Sequence, residues 1–189
     1  MAQRLLRSDL AVDARTGPLP VQVGYRLEVA VGRIPVAWRP AFAEFQRAMS
    51  TDAPLGDLIL EEEEWDAARV AELDARDAAM ARDNVLVVAR RVDDDLTTGF
   101  AGFTQVQWAP TMGERAYQQD TLVRRGDRGH GLGLALKAAA LNTVRHTWPQ
   151  VVSIRTWNAD DNTHMLAVNH TLGFVATGVM TEWQKRLAS

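Results

Sequence analysis

The run that most constrains this chain is Val123-Arg124-Arg125-Gly126-Asp127-Arg128-Gly129-His130-Gly131-Leu132-Gly133. It lies between a strand-like stretch, Arg115 to Val123, and an alanine- and leucine-rich stretch to about Thr147 that reads as a helix. Four of the eight residues from 126 to 133 are glycine, so the backbone can turn tightly and come close to another group. A helix that starts at these glycines aims its first unpaired N–H groups, and the positive end of its dipole, back at the turn. Strand, glycine turn and helix start together suit a polyanion such as a phosphate or pyrophosphate, although glycine-rich turns also serve simply as turns. No Gly-Lys-Ser/Thr closes the loop and no Gly-x-Gly-x-x-Gly is present, so neither a P-loop nor a dinucleotide fingerprint fits.

With 189 residues the chain is long enough for one domain with a real core. Apolar content of 47% with 24% charged residues is globular, and no apolar run marks a membrane span or secretory signal, so a cytoplasmic protein is expected. The absence of cysteine excludes disulfides, thiolate metal sites and a cysteine nucleophile. Four histidines without ligand spacing predict no metal, and a net charge of −3 argues against general nucleic-acid binding.

Residues 1–24, with Gly17-Pro18-Leu19-Pro20 as a loop signal, read as an arm or linker, an extra strand, or the trace of a domain lost upstream. Residues 25–189 read as one domain. Tyr25 to Val31 alternates as a strand, and helices are expected over Ala41 to Met49 and from about Glu61 to Arg82. Val85 to Val92 and Thr98 to Trp108 form a hairpin around Asp93-Asp94-Asp95, followed by the strand ending at Val123. After the long helix come a strand, Val151 to Trp157, and a helix over Asn162 to Leu172 capped by Asp160-Asp161. Phe174 to Val179 and Thr181 to Arg186 are expected to close the fold as a strand pair.

Val123, Arg128, Gly131 and Gly133 meet the pattern Val-x-x-x-x-Arg-x-x-Gly-x-Gly. This resembles the coenzyme A pyrophosphate loop of the GNAT superfamily of acyl-CoA-dependent N-acyltransferases. The segment Thr156 to Phe174, with its internal asparagines and closing Leu172-Gly173-Phe174, carries the other half of the resemblance, and its flavour is similar to actinobacterial members. Several of those carry two such domains in tandem. The motif match covers Gln118 to Phe174, and the order βααβββαβαββ extends it over Tyr25 to the C-terminus. The resemblance implies an α/β (α+β) fold, with a mixed, mostly antiparallel sheet and helices on both faces. It also implies acetyl transfer from acetyl-CoA, as co-substrate, directly to a primary amine of a small molecule.

On that resemblance, main-chain groups of Arg128, Gly129, His130, Gly131, Leu132 and Gly133 would hold the pyrophosphate, helped by the Arg128 charge. His130 is otherwise a loop-surface residue. A bulge in the preceding strand would free groups near Leu122 and Val123 for the pantetheine, and Asn158 and Asn162 would add coenzyme contacts. Members that protonate the leaving thiolate place a tyrosine four residues before the glycine of Leu-Gly-Phe. Here that position is Asn169, whose amide can donate a hydrogen bond to sulfur but supplies no proton. Asn162 and Asn169 are seven apart and share a helical stripe, while the plainer reading makes them a cap and an exposed polar residue. Asp120 is the nearest candidate base, with Glu114 farther out, and Asp120 reads equally as a partner for an arginine. Glu61 to Glu64 could wall the acceptor pocket, and Trp108 and Trp157 could line it. A module that binds acyl-CoA without catalysis, and a transferase using another acyl chain or a peptide acceptor, stay open, as does a homodimer.

Overall fold

A computed structural model describes residues 2–13, 23–52, 64–93 and 99–183. One seven-stranded sheet has the order β2-β3-β4-β5-β6-β1-β7. The strands are β1 (Ala2–Ala11), β2 (Tyr25–Val31), β3 (Asp83–Arg91), β4 (Gly102–Trp108), β5 (Arg115–Val123), β6 (Ser153–Ala159) and β7 (Val175–Trp183). Helices α1 (Arg39–Asp52) and α2 (Ala67–Ala79) precede β3, α3 (Leu132–Thr147) links β5 to β6, and α4 (Thr163–Leu172) links β6 to β7. Every strand pair is antiparallel except β5/β6, which needs the α3 crossover.

β3 explains the two-sided core. Val85, Val87 and Ala89 alternate into a cluster with Leu136, Leu141 and Val144 of α3, while Leu86 and Val88 enter a second cluster with Phe42 and Phe45 of α1. A strand apolar at successive positions is buried on both faces, so helices cover both sides of this part of the sheet. Phe42, Phe45 and Phe103 meet edge-to-face at 5.2–5.3 Å, which fixes α1 over β4.

Residues 2–11, in the stretch read as an arm or linker, an extra strand or the trace of a domain, form an extra strand, β1, between β6 and β7, with seven register pairs to β6. Its polar side chains are answered across the sheet: Arg155 donates to Asp9 through two bonds of 2.7 and 2.8 Å, and Arg7 donates to Thr177. The expected terminal strand pair is one strand, β7, through Trp183. The order is therefore ββααβββαβαβ. Helix α2 starts at Ala67, after Asp66 accepts from the Arg69 N–H at 2.7 Å, rather than at Glu61. Glu61 to Glu63 and residues 14–22 lie outside the described residues. Among the described residues no helix is long and apolar enough to cross a membrane.

Candidate active site

The parallel ladder between β5 and β6 is short. Arg115, Ala116 and Tyr117 face Ser153, Ile154 and Arg155, and no further pairs follow. Beyond Tyr117 the edge of β5 that faces β6 has no strand partner among the described residues, so the two strands leave a wedge between them. On its other side β5 stays paired with β4 but carries a bulge: Gln118 faces Val106 and Thr121 faces Thr104, with Gln119 and Asp120 left over. The Gln118 side chain holds this bulge from inside, donating to Thr104 Oγ1 at 2.9 Å and to the Gln105 carbonyl at 2.7 Å. The expected bulge is thus present but sits before Leu122 and Val123, which are in register with Phe103 and Gly102. The Val123 carbonyl accepts from Arg128 Nε at 3.1 Å.

The glycine loop follows directly. A 3-10 turn over 125–127 leads to Gly129 and Gly131, both left-handed with φ of 85° and 68°, where a side chain would strain the backbone. Gly131 is the N-cap of α3 and offers no side-chain cap, so the first-turn N–H groups of Leu132, Gly133 and Leu134 point out unanswered by a cap. A Cβ added at Gly129, Gly131 or Gly133 would meet nothing within 4 Å, so one face of the helix mouth is bare backbone. The Leu132 side chain turns into the core, and its contribution to this mouth is main-chain only. These features fit a diphosphate. His130 is exposed and packs its ring 5.5 Å from that of Tyr25, as a loop-surface residue does.

One residue that holds this loop was not singled out from the sequence. Asp127 is buried and accepts from the Tyr25 hydroxyl at 2.8 Å and from Arg91 at 2.8 and 3.0 Å. Burial and the Asp127 carboxylate together push the Tyr25 phenol above its ordinary pKa. A lone aspartate between glycines gives no pattern, and its partners on β2 and β3 are 102 and 36 residues away.

Asp120 emerges from the bulge toward α1. Burial raises its pKa above the ordinary carboxylate value, partly offset by a hydrogen bond from Gln46. Among the described residues its partner is Gln46 of α1, and no arginine pairs with it. Glu114 lies at the opposite end of β5, where its carbonyl accepts from Val152, and is exposed. On the α1 side a pocket of about 240 Å³ is lined by Glu44, Phe45, Ala48, Leu122, Arg124 and Arg125. Arg124 braces it, pairing with Glu44 at 2.6 Å and donating to the Phe100 carbonyl at 2.7 Å. Tyr117 and Trp157 stack across the base of the wedge, 5.7 Å apart and 2° from parallel. Trp108 instead packs on Trp148 and donates to the Gly113 carbonyl, away from the wedge.

The asparagines divide their roles. Asn162 is the N-cap of α4, its side-chain oxygen accepting from the Met165 N–H at 3.2 Å, so that oxygen is committed and Asp160-Asp161 do not cap the helix. Asn169 is 2% exposed rather than an exposed polar residue, and donates to Asn158 Oδ1 at 2.7 Å. Its own Oδ1 is buried without a partner among the described residues. One of its amide protons is therefore directed at Asn158, and the atom left wanting a partner is an acceptor. Among the described residues no three His, Asp or Glu side chains converge as a metal site would require.

No protein-family model matches the chain, and no curated protein matches it in sequence. Solved structures do match. A tandem GNAT protein from the clavulanic acid biosynthesis pathway is 26% identical, covering 95% of this chain and 53% of its own, with a TM-score of 0.73. A GCN5-related N-acetyltransferase from Sphaerobacter thermophilus is 15% identical over 94% of this chain and 50% of its own, TM-score 0.60. The Salmonella typhimurium protein yncA, described as a candidate acetyltransferase with its cofactor acetyl-CoA, is 15% identical over 79% and 81%, TM-score 0.57. The fold is that of the GNAT acetyltransferases, and the similarity supports a place in that superfamily. The chain spans about half the length of the first two of these structures.

Proposed function

We propose that the protein transfers an acetyl group from acetyl-CoA directly to a primary amine of a small molecule. The observation that carries this reading is the uncapped, bare-backbone mouth of α3 beside the wedge between β5 and β6. The N–H groups of Leu132, Gly133 and Leu134, with the Arg128 charge nearby, would hold the diphosphate of the coenzyme. The unpaired edge of β5 past Tyr117 would grip the pantetheine, as main-chain groups without a strand partner need one. Acetyl-CoA supplies the activated acyl group.

Asp120 then takes the proton of the incoming amine. An amine attacks only when neutral, and a carboxylate whose pKa is raised by burial is a better base near neutral pH than an ordinary one. A small acceptor agrees with the modest pocket beside Leu122 and with the Tyr117–Trp157 stack at the base of the wedge. It also agrees with a 26% identical neighbour that belongs to the clavulanic acid pathway. The proposed setting is the cytoplasm. The test is release of free thiol from acetyl-CoA against a panel of small primary amines. Turnover with at least one of them, lost in Asp120→Asn, supports the reading; well-folded protein that binds acetyl-CoA but releases no thiol with any amine would sink it.

A further inference from the structure

β7 is the outer strand of the sheet, paired with β1 on one side and with no strand on the other among the described residues. Eight of its nine residues are exposed, including Val179 at 54%, Met180 at 40% and Trp183 at 79%. An edge strand presents a row of unpaired N–H and C=O groups, and proteins usually blunt it with charges, proline or a bulge. Here the bulge is confined to the Thr177–Gly178 region, opposite Arg7 and Ser8. Beyond it residues 179–183 run regularly, with Glu182 as the sole charge and no proline. The register with β1 places Val179, Thr181 and Trp183 on one face and Met180 and Glu182 on the other.

We propose that this edge pairs antiparallel with the same strand of a second copy of the chain, about a two-fold axis at Thr181. Residues facing each other across such an axis must share a face of the sheet, so the axis passes through a residue and not between two. At Glu182 it would oppose two carboxylates, and at Val179 or Met180 it would draw the bulged residues into the ladder. At Thr181 the ladder stays regular and free of like charges. Thr181 faces Thr181, each Trp183 faces the Val179 of the other copy, and each Met180 faces a Glu182. Threonine pairs and aromatic–β-branched pairs are among the favourable cross-strand combinations. Five facing pairs make a small interface, so association depends on concentration.

This inference does not rest on the acetyl-transfer reading. Analytical ultracentrifugation of the whole chain should show the mass rising toward twice the monomer as concentration increases. The chain has no cysteine, so Thr181→Cys introduces a single thiol, which should cross-link two copies under mild oxidation. Val152→Cys, at an exposed position before β6, should not. Thr181→Lys sets two ammonium groups face to face and should weaken association roughly fivefold to tenfold, with circular dichroism confirming that the variants fold. A wild type that stays monomeric at every concentration overturns the proposal. So does a dimer in which Thr181→Cys fails to cross-link, Thr181→Lys has no effect, or Val152→Cys cross-links equally well.

Discussion

Arg91 grips Asp127 through both carboxylate oxygens, at 2.8 and 3.0 Å, and so ties the middle of the glycine loop to β3. Asp127 is 1% exposed and its carboxylate is the shared acceptor of three hydrogen bonds, so removing it takes that acceptor from the Tyr25 hydroxyl and from Arg91 and leaves a gap in the core. Asp127→Ala is expected to cost about 2 to 3 kcal/mol of stability, well above a surface substitution. It should also weaken acetyl-CoA, because the helix mouth would no longer be held in place. Urea unfolding and a coenzyme titration check the two effects separately.

Gly133 invites the opposite outcome. It lies in the first turn of α3 with no strained φ, and a Cβ there touches nothing in the protein. Gly133→Ala should therefore raise stability by about 0.5 to 1 kcal/mol, the helix preference of alanine over glycine. The same methyl group stands on the bare face proposed for the diphosphate, so coenzyme affinity should fall. A variant that melts higher and binds acetyl-CoA as well as the wild type would place the diphosphate elsewhere.

Asp120 links activity to pH. With a folded pKa above the ordinary 3.8, the folded state holds this proton more tightly than the unfolded chain does. The stabilisation is therefore present below 3.8 and is lost as pH rises through the folded pKa. Asp120→Asn removes the charge, so the variant should be more stable than wild type at neutral pH and equal to it in acid. Its turnover near neutral pH should drop by roughly 10²- to 10⁴-fold if Asp120 is the base. Melting scans and pH–rate profiles on the same pair of proteins read both effects.

Lys137 behaves in the mirror-image way. It is fully buried in α3, with its ammonium 5.6 Å from the Phe174 ring, and burial lowers its pKa from 10.5 to about 7. Between those values the unfolded chain binds more protons, so stability rises with pH from about 7 toward 10.5 and is least in acid. Lys137→Met should abolish this slope and stabilise the protein at neutral pH by on the order of a few kcal/mol. Unchanged unfolding curves from pH 6 to 10 would contradict it.

Asn158 and Asn169 share one hydrogen bond of 2.7 Å, so their substitutions should not add. Each change to alanine is expected to cost about 1 to 2 kcal/mol and the double variant less than the sum. Additive costs would mean that the pair does not act as a unit.

The loop itself was legible from sequence because its signals are local: glycines that permit positive φ at 129 and 131, and an alanine–leucine run that must be helix. The bounds of β2, β5 and α3 follow from the same kind of local pattern. What could not be read depends on distant partners. Asp127 is meaningful only once Tyr25 and Arg91 arrive, and β1 hides its strand character because Arg7 and Asp9 are answered by Thr177 and Arg155, 170 and 146 residues away. For Asn169 the helical stripe leaves a coenzyme-facing and an exposed position open, and the burial beside Asn158 depends on a strand that the stripe does not contain. Asn162 is legible as a cap because its side-chain oxygen meets a backbone N–H only three residues on.

Isothermal titration calorimetry compares acetyl-CoA with acetyl-pantetheine, which lacks the diphosphate, on the wild-type chain. Binding of one equivalent of acetyl-CoA, with acetyl-pantetheine far weaker, is the result expected if bare main-chain N–H groups at the start of α3 hold the coenzyme. No heat with acetyl-CoA in folded protein, or equal affinity for both compounds, would contradict it.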